Sequence, residues 1–303
     1  MSAGRLWVFA AIAFASLLAA CSSAEPSLVQ DPAAAPTITP DATAAVEPAA
    51  TTASAPAPTV TAPGASGVPG WTLGATPLPK GPDGTPLVLP TPAPLRDRRL
   101  PSVDRLPPPP PDAPYRSTVA LIDAVLADRM GTTWQPGCPV PLAGLRHLTL
   151  SFWGFDGRQH TGELVVNATV ADDVQKVFGR LFAARFPLEE VKVVEPGDLA
   201  AEPTGDSNTT AAFVCRPIRG STSTPSAHSS GLAVDINPFQ NPYRKGPSVL
   251  PELAGSYLDR SWARPGMVKR GDVVTRAFAD VGWSWGGTWT SSTDLMHFSS
   301  NGR

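Results

Sequence analysis

The first third of this 303-residue chain is too rich in proline, and too poor in apolar periodicity, to form a packed core. Proline occurs 36 times and is concentrated there, together with alanine and threonine. From Ser22 to about Asp112 no stretch keeps a helical or strand period, and LPPPPPD at its end favours polyproline II. Such a segment buries too little apolar surface to offset the entropy lost on ordering. We therefore predict a disordered linker over residues 21–112 and one domain over residues 113–303.

The extreme N-terminus indicates export. A basic start at Arg5 precedes an apolar run from Leu6 to Leu18. This run is too short for a stable membrane span but is typical of a signal peptide. We assign the signal peptide to residues 1–20. The LAAC sequence that ends at Cys21 resembles the lipobox of bacterial lipoproteins, which implies cleavage before Cys21 and lipid on its thiol. We expect a protein held by lipid on the extracellular face of a bacterial membrane. A plain secretory signal with a chance cysteine is the alternative.

The remaining cysteines indicate the redox compartment of the protein, and its net charge limits the classes of partner that are expected. With Cys21 lipidated, Cys138 and Cys215 are left as an even pair, and an exported protein meets oxidising conditions. We predict a disulfide between them; two unrelated buried thiols are the alternative. A net charge of -2 gives no reason to expect a nucleic-acid partner, and we expect a monomer.

Beyond residue 113 the periodicity predicts mixed helices and strands. Residues 145–157 alternate apolar and polar positions before an Asp-Gly turn, so they predict a hairpin with the following GELVVNATV. Helical spacing appears in residues 115–130, in ADDVQKVFGRLFAARF and in GDVVTRAFADVGW, where Asp272 is the expected N-cap. VKVV, GLAVDIN and DLMHF predict short strands. Without a regular strand-helix-strand order, the fold class is α+β, with a central antiparallel sheet flanked by helices.

Two of the four histidines lie in short segments that could form a metal site. In GLAVDIN, alternation places Val234 and Ile236 on one face and Asp235 on the other. In DLMHF, His297 points away from the apolar neighbours, and His228 precedes the first strand by a flexible turn. Two imidazoles and one carboxylate are a common ligand set for catalytic zinc, with a fourth position for water. The alternative is a structural histidine and a hydrogen-bonded strand aspartate.

SAHSSGLAVDINP and DLMHF, in that order, resemble the zinc D-alanyl-D-alanine carboxypeptidases and L-alanyl-D-glutamate endopeptidases of bacterial cell walls. The segments NTTAAFVCR, NPFQNPY and AFADVGWSWGG also resemble the endopeptidase branch, so the likeness extends over about residues 134–298. It implies a hedgehog/DD-peptidase-like fold and a Zn²⁺ cofactor. The ligands that it implies are His228, Asp235 and His297.

The same resemblance implies roles for further residues. Asp294 matches the general base, which would take a proton from the attacking water. Arg216 matches an arginine that stabilises the oxyanion, with a surface ion pair as the alternative. Ser226 matches a serine that contacts substrate, although it is equally suited to cap the loop.

Aromatic residues and the other two histidines have simpler interpretations. Trp283, Trp285 and Trp289 suit a groove wall, but core packing is expected for at least one of them. His147 and His160 are expected to be structural or exposed.

These features together predict a lipid-anchored zinc peptidase that hydrolyses the stem peptide of peptidoglycan, of the D-alanyl-D-alanine carboxypeptidase type. An L-alanyl-D-glutamate-type endopeptidase is one alternative. The other is a non-catalytic zinc-containing module that binds the cell wall, because hedgehog signalling domains keep a similar zinc set. Asp294 distinguishes these classes, since a binding module has no need of a base.

Overall fold

The computed structural model describes residues 70–218 and 221–302, and all of them belong to one unit of the chain. The helices among them are α1 (Ala124–Met130), α2 (Ala171–Ala183), α3 (Pro196–Ala200) and α4 (Val273–Ala279). The strands are β1 (Ser117–Ala120), β2 (Leu145–Trp153), β3 (Gln159–Asn167), β4 (Glu190–Val191), β5 (Thr209–Thr210), β6 (Ala233–Asp235), β7 (Tyr243–Lys245), β8 (Ser248–Leu250), β9 (Ser284–Trp285), β10 (Thr293–Asp294) and β11 (His297–Ser299).

The strands form small sheets in which antiparallel pairing dominates. Three sheets have three strands each, with the orders β1-β2-β3, β10-β7-β8 and β6-β11-β9, and β4 pairs with β5 in parallel. The β2–β3 hairpin turns at Gly157, whose φ of 73° is accessible to glycine without strain. This mixture confirms the α+β class, although the antiparallel strands are divided among several sheets.

Helix α2 covers the β2–β3 hairpin and forms the main core with it. Its apolar positions recur at helical spacing, so Val174, Val177, Phe178 and Leu181 are all buried against the sheet and α4. Helix α4 begins as expected, because the Asp272 carboxylate accepts a hydrogen bond from the backbone N–H of Thr275 at 2.8 Å. The sequence therefore predicted this part of the core correctly.

The prediction of one helix over residues 115–130 is wrong for its first half. Ser117–Ala120 pairs with β2 as an edge strand, and the helix begins only after its N-cap, Asp123. Val125, one of the apolar positions of that helical pattern, is 72% exposed. The β-branched residues of STVA extend an existing sheet, and this tertiary pairing outweighs a weak helical pattern.

The prediction of a disordered linker is wrong for its described part. Residues 71–105, here called the N-terminal strap, pack on the domain, so the boundary predicted at residue 113 is wrong as well. Leu78, Leu95 and Leu100 of the strap are buried, and the first two join a second core cluster with Phe239 and other residues. The strap lacks periodicity because it has no α-helix and no long strand, yet it still contributes apolar side chains to a core.

A buried ion pair fixes the end of the strap. Arg98 is 2% exposed and binds both carboxylate oxygens of Glu189, at 2.8 and 2.5 Å. It also donates to the carbonyl of Asp206 at 2.6 Å, and its guanidinium lies 4.5 Å from the ring centre of Phe239. The backbone N–H of Arg98 donates to the hydroxyl oxygen of Tyr257. The charge is fully paired, as a buried guanidinium requires.

The predicted signal peptide, Cys21 and residues 21–69 lie outside the described residues. Within the described part, no helix has the length and apolar character needed to cross a membrane.

Replacing Arg98 tests the packing of the strap. Because Arg98→Met leaves the Glu189 carboxylate buried without its cation, we expect the free energy of unfolding to fall by about 3–5 kcal/mol. The control is Arg99→Met, since Arg99 is exposed and pairs only with the exposed Asp97; here we expect a change within about 0.5 kcal/mol. Urea unfolding followed by tryptophan fluorescence measures both. Equal stability of the two variants would contradict an ordered strap.

Candidate metal centre

The register of β6 against β11 places two predicted ligands side by side. His297 pairs directly with Asp235, and Phe298 pairs with Val234. Val234 and Phe298 are buried in the main core, so the paired His297 and Asp235 project from the opposite face of the sheet. The alternation predicted from GLAVDIN and DLMHF is confirmed at these residues. DLMHF is nevertheless not one strand, since Asp294 belongs to β10 in a different sheet.

His228 reaches the same face from the turn that precedes β6. It lies in a 3-10 turn, Ala227–Ser230, and the Ser226 hydroxyl oxygen accepts a hydrogen bond from the His228 backbone N–H at 3.3 Å. The turn ends at Gly231 with a φ of 65°, and a Cβ there would lie 2.5 Å from the backbone nitrogen of Asn167. Only glycine fits this close approach. Ser226 therefore caps the turn, as one of its two sequence interpretations predicted.

Three electron-pair donors converge between these side chains. His228 Nε2 lies 3.3 Å from His297 Nδ1 and 3.3 Å from Asp235 Oδ1, and the last two atoms lie 3.1 Å apart. His228 Nδ1 lies 2.5 Å from the carbonyl oxygen of Ala212, to which it must donate, because a carbonyl only accepts. In the neutral ring, Nε2 is then a bare acceptor that faces the acceptor Oδ1 of Asp235 and the ring nitrogen Nδ1 of His297, whose role depends on its tautomer.

This triangle fits a metal ion. Three ligands of a tetrahedral zinc ion with bonds of 2.0–2.1 Å lie about 3.3 Å from one another, which matches the observed separations. The three residues form the one group of this kind among the described residues. The hydrogen bond to Ala212 fixes the orientation of His228, as the outer partners of metal-bound histidines do.

Asp235 is strongly polarised by its neighbours. Burial alone would raise the pKa of its carboxyl group, but the charges and hydrogen bonds of His228 and His297 outweigh burial and hold that pKa well below its usual range. Asp235 is therefore an anion at neutral pH and is suited to ligate a cation.

Asp294 lies beside this group as a fourth polar residue. Its Oδ1 is buried and has no hydrogen-bond partner among the described residues. Burial, and then the negative charge of Asp235, raise the pKa of Asp294 to about 7. Gly286 lies against it: a Cβ at Gly286 would be 2.8 Å from the Asp294 Cβ and 3.4 Å from the His297 Cβ. A buried carboxylate that has a raised pKa and one oxygen without a hydrogen-bond partner, beside a cluster of ligands, is typical of a functional group.

Arg216 and the disulfide form one border of the site. Cys138 and Cys215 are bonded, with Cα atoms 5.9 Å apart, so the predicted disulfide is confirmed. Arg216 follows directly, and its exposed guanidinium donates to the carbonyl of Pro217 at 3.2 Å. Its positive charge is close enough to lower the pKa of Asp294, in opposition to burial. Arg216 therefore contributes positive electrostatic potential at the site, although it is not one of the three candidate metal ligands.

The tryptophans divide between core and site. Trp283 is buried in the main core, and Trp285 donates its indole N–H to the carbonyl of Leu295 at 2.9 Å, as core packing predicted. The ring of Trp289 instead lies 5.4 Å from the ring of His297 and forms a wall of the site. The WGG stretch before Trp289 could have indicated a close approach, because glycine leaves room for neighbouring atoms.

The other histidines lie away from this group. His147 pairs with Glu163 at 2.9 Å, and the buried His160 bridges Asp104 and Asp156. Both have structural roles, as expected from the sequence.

Comparison with known families gives one match. Residues 219–300 match the family model described as D-alanyl-D-alanine carboxypeptidase, which spans less than a third of the chain. His228, Asp235, Asp294 and His297 all lie within the match, whereas Arg216 lies outside it. The match supports a peptidase of this family. No curated protein and no solved structure matches the chain.

Gly286 offers a test of the arrangement. In Gly286→Ala, the new methyl group would overlap Asp294, whose backbone oxygen is also only 2.8 Å away, so the segment between β10 and β11 must shift. We expect zinc affinity to fall at least about tenfold, and the free energy of unfolding to fall by about 1–3 kcal/mol from overpacking. Gly255→Ala is the control, since a Cβ there has no neighbour within 4 Å. Competition with a fluorescent chelator measures the affinity, and unchanged zinc binding in Gly286→Ala would contradict the geometry.

Proposed function

We propose that this protein is a zinc-dependent peptidase that hydrolyses the stem peptide of peptidoglycan, of the D-alanyl-D-alanine carboxypeptidase type. The observation that carries the proposal is the triangle of donors from His228, Asp235 and His297, beside which the buried Oδ1 of Asp294 has no hydrogen-bond partner among the described residues. The family match over the same residues supports the peptidase class.

The donor set assigns the zinc ligands. His228 would bind through Nε2, His297 through Nδ1 and Asp235 through Oδ1, and this set leaves a fourth position for water. When bound, zinc would supply a Lewis acid that lowers the pKa of a coordinated water to about 7. The carboxylate of Asp235 keeps its charge near neutral pH because its pKa is held low.

Asp294 would move the protons. Its buried Oδ1 is available to accept the proton of the attacking water, and it would then pass that proton to the leaving amine. A pKa raised by burial brings a carboxyl group closer to the range in which it both accepts and returns a proton at neutral pH.

Two further residues would support the reaction in different ways. The guanidinium of Arg216 is exposed at the border of the site, where it would stabilise negative charge that develops on the attacked carbonyl oxygen. Ser226 is 8% exposed and already caps the His228 turn, so its contribution is to hold that ligand in place.

The location belongs to the same proposal. A signal peptide over residues 1–20 and lipid on Cys21 would hold the protein on the extracellular face of a bacterial membrane, next to peptidoglycan. The disulfide between Cys138 and Cys215 supports an oxidising compartment.

Digestion of purified muropeptides tests the activity. The full chain is incubated with pentapeptide and tetrapeptide stems, with and without a chelator, and the products are identified by mass spectrometry. We expect loss of the terminal D-alanine from the pentapeptide, abolition by the chelator and recovery with added zinc. Cleavage inside the stem would assign the endopeptidase alternative instead. Bound zinc without cleavage of any stem would refute the enzyme and leave the binding module.

The variant Asp294→Asn separates the base from the ligands. The amide keeps the shape of the side chain but cannot accept the proton in the same way, so we expect zinc to stay bound while kcat falls about 10²- to 10⁴-fold. Asp128→Asn, an exposed change on α1, is the matched control and should leave kcat unchanged. Metal content by mass spectrometry and turnover of the preferred stem are measured together. Wild-type turnover in Asp294→Asn would show that Asp294 is not the base.

A further inference from the structure

A tight turn holds Trp289 at the edge of the candidate metal centre. The turn that precedes it closes with a hydrogen bond from the backbone N–H of Trp289 to the carbonyl of Gly286 at 3.1 Å. A Cβ at Gly286 would overlap Asp294, and one at Gly287 would overlap the ring of Trp285. The turn therefore fits closely between these two neighbours, and this fit fixes the point at which the side chain of Trp289 leaves the backbone.

The indole of Trp289 lies against the imidazole of a candidate ligand. Its ring centre is 5.4 Å from that of His297, with an angle of 49° between the two planes. His297 is only 6% exposed, whereas Trp289 is half-buried and keeps part of its indole open to solvent. The open part of the indole thus lies beside the group of donors to which a substrate must come.

Trp289 also differs from its neighbouring tryptophans in its unused binding capacity. Trp285 donates its indole N–H to the carbonyl of Leu295, and Trp283 packs in the main core. The indole N–H of Trp289 is not buried and forms no hydrogen bond with any residue in the described part of the chain. A partly exposed indole of this kind offers an apolar face and, at its edge, one hydrogen-bond donor.

The other residues of the site are polar or charged. The candidate ligands are two imidazoles and the Asp235 carboxylate, Asp294 lies beside them, and the guanidinium of Arg216 is at the border. Trp289 adds an apolar surface to these groups. A site that combines polar groups with one apolar wall suits a substrate with a polar reacting bond and a small apolar side chain next to it.

We propose that Trp289 is a specificity-determining residue whose indole face contacts the methyl group of an alanine that adjoins the cleaved bond. Its N–H donates to a carbonyl or carboxylate oxygen of the same substrate. The proposal rests on the proposed function, which brings the stem peptide to this site. Both candidate bonds, D-alanyl-D-alanine and L-alanyl-D-glutamate, have an alanine beside them, so the contact does not depend on which of the two is cut.

Binding of two stem peptides tests the proposal without turnover. The full chain with Asp294→Asn is loaded with zinc. Calorimetry then measures its Kd for L-Ala-γ-D-Glu-L-Lys-D-Ala-D-Ala and for the same peptide with glycine in place of every alanine. Burial of one methyl group corresponds to about fourfold in affinity, so we expect the alanine stem to bind more tightly by at least about that factor. Trp289→Ser, made in the same chain, should reduce the ratio to within about twofold.

Two further changes separate the indole face from the indole N–H and from general effects. Trp289→Phe keeps an aromatic face but has no donor, so we expect it to keep the ratio while both stems bind about two- to tenfold less tightly. Trp262→Ser is the matched control, because Trp262 is exposed and stacks on the guanidinium of Arg264; neither Kd should change. Competition with a fluorescent chelator should give the same zinc affinity in every chain.

The outcomes separate this proposal from the proposed function. If the unmodified chain cleaves stems but Trp289→Ser keeps the binding ratio, the contact is refuted while the peptidase stands. If no stem is cleaved but the ratio is present and depends on Trp289, the contact stands and the peptidase is refuted. Equal binding of the two stems, or binding of neither, would refute the contact. A loss of zinc affinity in Trp289→Ser together with the ratio would show that Trp289 only supports His297, and would refute it as well.

Discussion

The convergence of two ring nitrogens and one carboxylate oxygen is the constraint on which the rest of the site depends. A bare imidazole nitrogen, a second ring nitrogen and a carboxylate oxygen lie within 3.1–3.3 Å of one another, and such a group is favourable only around a cation or a shared proton. Pairing of His297 with Asp235 fixes this arrangement. A shift of one residue in the pairing of β6 with β11 would turn one ligand into the core. The burial of Val234 and Phe298 therefore stabilises the observed register.

Residues distant in the chain keep the third donor in place. His228 is oriented by the carbonyl of Ala212, and β6 is bridged to Ala211 by backbone hydrogen bonds in both directions. The same segment continues to Cys215, whose disulfide joins it to Cys138, 77 residues earlier. The segment between residues 211 and 216 thus orients a ligand, borders the site and carries Arg216. This segment itself lies outside the family match, which begins at residue 219.

The sequence predicted the features that depend on residues close together in the chain. The alternation in GLAVDIN and DLMHF predicted that Asp235 and His297 project from the face of the sheet opposite the core. The N-cap residue Asp272 predicted where α4 begins. The division of DLMHF between two sheets was not predictable, because each strand is only two or three residues long and its partner is remote. The pairing of Tyr243 with Asp294 was not predictable for the same reason.

The proline-rich composition of the strap predicts disorder, but the strap is packed on the domain. Proline-rich sequence makes few hydrogen bonds of its own, so its backbone must be satisfied by water or by another surface. Here the domain supplies partners, and proline lowers the entropy that ordering costs. The decisive residue is one arginine among several: Arg98 is paired with Glu189, while Arg99 next to it is exposed. Without the strap, Glu189 would keep only Asn208 as a side-chain partner, and a cavity lined by Tyr243 would lose one wall. The folded unit therefore begins well before residue 219, where the family match starts.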